Sequence, residues 1–61
     1  MLYTVTLFRP LGRVPTVEVA CQITRDAAHA QDVFPVAHRA AAGDDALVTA
    51  VVAGVYRVVV G

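Results

Sequence analysis

Ala46-Leu47-Val48-Thr49-Ala50-Val51-Val52-Ala53-Gly54-Val55-Tyr56-Arg57-Val58-Val59-Val60-Gly61 is the stretch whose structure decides the fold. It holds more than half of the valines, and Arg57 is its one charged residue. β-Branched side chains favour strands. One strand from Leu47 to Val60 would span roughly 45 Å at about 3.3 Å per residue, too long for a small sheet. Ala53-Gly54 lies at the middle. A two-residue loop there predicts a hairpin, Leu47–Val52 with Val55–Val60. The alternative is one long bent strand with a bulge at Gly54.

Upstream, Leu2–Phe8 reads as a strand with Tyr3, Val5 and Leu7 on one face and Thr4 and Thr6 on the other. Arg9–Pro15 contains two prolines and a glycine and predicts a loop. From Thr16 to Thr24, Val17, Val19, Cys21 and Ile23 alternate with Thr16, Glu18, Ala20, Gln22 and Thr24. That period of two predicts a second strand with one buried and one wet face.

Arg25–Ala42 reads as helix, with Thr24 or Asp26 as cap and Gly43 as stop. Ala27, Ala30, Phe34, Ala37 and Ala41 form its apolar stripe. Pro35 falls inside it, at a cost of about 3 kcal/mol for an interior helical proline. Because the stripe keeps its phase through the proline, one Pro-kinked helix is expected. The alternative is two short helices, with Asp32 capping the second. The predicted fold is α+β, a single small domain over residues 1–61. Its order is ββαββ, with a four-stranded, mostly antiparallel sheet in the order 2-1-3-4 and the helix on one face.

Sixty-one residues bury only about 60% of the surface of the unfolded chain, so such a domain often relies on a disulfide, a metal or a partner. Cys21 is the lone cysteine, which rules out an internal disulfide. Its alternation with Val19 and Ile23 points it into the core as a small hydrophobe. Self-association is therefore expected, with a homodimer as its simplest form. In the predicted hairpin, Val48, Ala50, Val52, Val55, Arg57 and Val59 share the face away from the helix. Val48, Val52, Val55, Arg57 and Val59 are the candidate self-association interface, because exposed apolar patches mark interaction sites. The last strand is also an edge without proline and with one charge.

Five arginines are balanced by Glu18, Asp26, Asp32, Asp44 and Asp45. A formal net charge of zero argues against nucleic acid as a partner. Arg9 and Arg13 flank the predicted loop and are candidate anion contacts. A dimer that aligned Arg9, Arg13 and Arg25 would be the nucleic-acid-binding alternative. His29 and Asp32 are three apart and would share a helix face, short of the three protein ligands of a catalytic zinc site. His38 would lie on the far side. Asp44 and Asp45 are adjacent and read as turn residues. Neither a phosphate-binding loop, nor a dinucleotide glycine pattern, nor any serine is present. No cofactor and no catalytic residue are expected.

Lysine, serine, asparagine and tryptophan are all absent. That bias suits a high-GC genome, that of a bacterium or of a phage or mobile element within one. Met1–Phe8 lacks the basic start and apolar core of a signal peptide. Arg57 and Gly54 make the valine-rich run a poor membrane span. A cytoplasmic, non-catalytic protein that binds itself and then a partner protein is the leading expectation. A small dimeric enzyme or ligand binder with a pocket near His29, His38 and Tyr3 is the third.

Overall fold

Strand β1 (Leu2–Pro10) is the middle of the sheet, flanked by β2 (Val17–Asp26) and β3 (Tyr56–Val60) in the order β2-β1-β3. Both pairings are antiparallel. The computed structural model describes residues 1–12 and 16–61. Between β2 and β3, a 3₁₀ turn (Ala30–Val33) runs into helix α1 (Phe34–Ala41), and helix α2 (Asp45–Val52) follows. Among the described residues the order is thus ββααβ, with three strands and two helices, not four strands and one kinked helix.

The first half of the valine-rich stretch is a helix, which removes the predicted C-terminal hairpin. Four β-branched residues, Val48, Thr49, Val51 and Val52, cost a helix roughly 2–3 kcal/mol relative to alanine. Packing offsets this. Leu47, Ala50 and Val51 recur at i, i+3 and i+4 and are buried. Burying side chains the size of Leu47 and Val51 contributes about 1.5–3 kcal/mol each. Both ends of α2 are also closed. The Asp44 carboxylate accepts from the Leu47 N–H at 3.1 Å, an N-cap. At the other end Gly54, at φ +82°, donates to the Val51 carbonyl, and Val55 donates to the Ala50 carbonyl. That pair of bonds is a Schellman motif, which requires a left-handed residue at the glycine position. Gly54 therefore ends a helix where the sequence suggested the tip of a hairpin.

Pro35 is the second residue of α1, so there is no kink. In the first turn its missing N–H has no intrahelical acceptor to lose, and its fixed φ suits the helix. The buried stripe is Val33, Ala37 and Ala41, while Phe34 is 42% exposed. Residues 25 and 26, predicted as helix, extend β2.

The core lies between the helices and one face of the sheet. Tyr3, Val5 and Leu7 from β1 meet Val33, Ala37, Ala41, Leu47 and Val51. Tyr56 and Val58 from β3 pack at its margin, with Phe34 edge-on to Tyr56 at 5.8 Å between ring centroids. Among the described residues no helix covers the opposite face of the sheet.

Strand β2 departs from its predicted alternation. Leu7 pairs with Cys21, but Phe8 pairs with Val19, so Ala20 is an extra residue, a β-bulge. A one-residue slip moves every later side chain to the other face. Cys21 and Ile23 stay on the helix side, half-buried, as Tyr3, Val5 and Leu7 dictate. Val17 and Val19 move to the uncovered face, 40% and 57% exposed. The same slip places Glu18, not Val19, opposite Arg9.

Candidate functional site

The five residues expected to form one interface are divided between two elements and the turn that joins them. Val48 and Val52 lie one helical turn apart on the exposed side of α2, at 37% and 70% exposure. Arg57 and Val59 lie on the uncovered face of the sheet, because Tyr56 and Val58 take the helix side. Val55 sits in the turn between α2 and β3. The division follows from α2 being a helix. The face shared in a hairpin is lost once Leu47–Val52 coils.

The uncovered face is polar in one region and apolar in another. Thr4 and Thr6 run along the middle, with Thr24 and Gln22 beside them on β2. The Thr4 and Thr24 hydroxyls lie 3.3 Å apart, and the Gln22 amide donates to the Thr6 hydroxyl at 3.2 Å. These contacts leave Thr6 buried although no helix covers it. Beyond them, Phe8, Val17 and Val19 gather at the bulged end, an apolar group that strict alternation along β2 would hide.

Arg57 is placed over the Phe8 ring, with its guanidinium carbon 5.8 Å from the ring centroid. This is within reach of a cation–π contact. No carboxylate among the described residues pairs with Arg57. A shallow groove opens beside it, lined by Phe8, Val17, Val55, Tyr56 and Val58 with Arg57 at its edge. It forms because β1 continues to Pro10 while β3 starts opposite Leu7, which leaves a step in the sheet.

The backbone of β3 is open along its outer side. Gly61 donates to the Leu2 carbonyl at 3.0 Å. In an antiparallel ladder the inward-facing residues alternate. Arg57 and Val59 therefore bond to β1, and the amides and carbonyls of Tyr56, Val58 and Val60 point away from it. No second strand pairs with β3 among the described residues. The other edge differs. β2 carries Glu18, Arg25 and Asp26 and a bulge, features that discourage edge-to-edge pairing.

Arg9, expected at a loop, is the eighth of the nine residues of β1. It donates to Asp44 at 2.6 Å and to Glu18 at 3.4 Å, so its guanidinium serves carboxylates of this chain. The bond to Arg9, then that from the Leu47 N–H, holds the Asp44 carboxyl below the ordinary carboxylate value. Arg13 lies outside the described residues. Arg25 donates to the Thr24 carbonyl. Asp32 accepts from the His29 backbone N–H at 3.2 Å, in the 3₁₀ turn rather than on a helix face. His29 and His38 are exposed while Tyr3 is in the core, so the three do not line one pocket. Among the described residues no three of His, Cys, Asp and Glu gather at metal-binding distance. No helix formed by them is long and apolar enough to cross a membrane.

What the fold and surface define is a small α+β domain, a three-stranded antiparallel sheet with helices on one face and an open edge at β3. Comparisons with protein-family models, curated proteins and solved structures find no match.

Proposed function

We propose that this chain is a non-catalytic interaction protein that self-associates and binds a partner protein, using the C-terminal strand and the uncovered sheet face beside it. The observation that carries the proposal is the condition of β3. Among the described residues no strand pairs with its outer backbone groups, and Val59 and Val60 are 48% and 57% exposed. Unpaired edges of this kind template pairing with another chain. The apolar group of Phe8, Val17 and Val19 extends the surface across the sheet. Its role is regulatory or accessory, in the cytoplasm of a high-GC bacterium or of a phage or mobile element that lives there, as the composition suggests.

Nucleic acid is disfavoured as the partner. The net charge is zero, and Arg9 is paired with Asp44 and Glu18. Light scattering tests the self-association. A mass of twice 6.4 kDa at micromolar concentration is expected, and Val58→Pro, which removes an outward N–H of the edge, should shift it towards the monomer. Capture of a protein from a high-GC bacterial lysate by the unmodified chain, but not by Val58→Pro, is expected. A monomer at all concentrations that captures nothing in a Val58-dependent way would refute the proposal.

A further inference from the structure

The geometry points to a specific mode of self-association: β3 pairs antiparallel with β3 of a second copy, in register about Val58, and joins two three-stranded sheets into one of six strands. This deepens the self-association proposed above and rests on it.

Three features favour a second copy as the occupant of the edge. The first is backbone direction. Val58 directs both its N–H and its C=O outwards, as do Tyr56 and Val60. A two-fold axis at Val58 sets Val58 opposite its own copy and Tyr56 opposite Val60 of the other chain. All outward groups of the five-residue strand are then used, in about six hydrogen bonds. No residue of β3 overhangs, because Val58 is the midpoint of Tyr56–Val60.

The second feature is the side-chain pairing this register creates. Tyr56 meets Val60 on the helix side, an aromatic with a β-branched residue, a favourable cross-strand pair. Arg57 meets Val59 on the uncovered face. An isologous interface needs a patch that complements itself, and this one does.

The third is the position of the charge. Arg57 is the only charged residue of β3, and a charge on an edge normally blocks pairing. Its guanidinium lies over Phe8, a β1 residue, and so is drawn away from the open edge. In the proposed register the two Arg57 side chains are diagonal neighbours, about 7–8 Å apart at their bases. Seating each on its own Phe8 separates the charges further.

The register is tested by mixed cross-linking. In a Cys21→Ala background, Arg57→Cys and Val59→Cys are made in separate chains and mixed under mild oxidation. The two positions face each other in a non-hydrogen-bonded pair, about 4.5 Å apart at Cα, within disulfide reach. The mixture should give several-fold more disulfide-linked dimer than either variant alone. As a second arm, total synthesis with an N-methyl group at Val58 removes an outward N–H and leaves the ladder to β1 intact. That chain should keep its far-UV spectrum and become monomeric. No excess of mixed dimer, or a dimer that survives N-methylation, overturns the register while self-association stands. An unmodified chain that is monomeric at every concentration overturns both.

Discussion

Arg9 and Asp44 are joined at 2.6 Å, which ties the end of the central strand to the N-cap of α2. The second oxygen of the same carboxylate caps that helix through Leu47. One side chain thus links the sheet to the element that the sequence patterning disguised. The bulge at Ala20 completes the arrangement by placing Glu18 opposite Arg9.

Asp44→Asn separates the two roles of this carboxylate. Asparagine caps helices about as well as aspartate but carries no charge for Arg9. Asp44→Ala loses both. Thermal unfolding should rank wild type above Asp44→Asn and Asp44→Ala lowest, with a loss of helical signal in the alanine variant alone. Equal melting of the two variants would show that the cap contributes nothing.

The acid limb of stability follows from the same residue. The folded carboxyl of Asp44 titrates below the ordinary 3.8, chiefly because of Arg9. Its stabilising contribution is therefore complete above the unfolded value and is lost as pH falls through the folded one. Unfolding midpoints should be flat from about pH 7 to 5 and decline below about pH 4. The decline attributable to this site should shrink in Asp44→Asn. A variant with the same acid profile as wild type would contradict the assignment.

Pro35 offers a direct comparison of two architectures. An interior kink would cost about 3 kcal/mol, so Pro35→Ala would stabilise by that order. At the second position of α1 the replacement should change stability by less than about 1 kcal/mol. Chemical denaturation distinguishes the two outcomes easily.

Gly54→Ala probes the helix stop. No atom lies within 4 Å of the added Cβ, so the cost comes from the backbone alone, at φ +82°. A left-handed non-glycine residue costs about 1–2 kcal/mol, which lowers the melting temperature of so small a domain by roughly 4–8 °C per kcal/mol. A neutral substitution would mean that α2 does not end as described.

Strands β1 and β2 and a helix ending before Gly43 are legible in the sequence, because period-two alternation and a glycine stop are local signals. The valine-rich stretch is not, because Val48, Val51 and Val52 satisfy a strand pattern and a helical one alike. What separates the two is the pair of caps. Asp44 stands three residues before Leu47, and Gly54 follows the last turn, signals that outweigh β-propensity once Leu47 and Val51 have a sheet to pack on. Pro35 also carried its message, as a helix start rather than a kink. The bulge at Ala20 has no comparable mark, so the move of Val17 and Val19 to the uncovered face was hidden. Of the proposed surface, Val59 and Arg57 were identified from sequence. Phe8 was not, since its place under the Arg57 guanidinium, diagonal to the Thr6–Arg57 pair, depends on the ladder between β1 and β3.

Hydrogen exchange at Val58 and Val59, followed across protein concentration, tests the central claim most directly. The Val59 amide faces β1 and should be protected at every concentration. The Val58 amide faces outwards and should exchange quickly in dilute solution, then become protected as concentration rises. Val58 exchange that stays fast and independent of concentration, beside a protected Val59, would contradict the account.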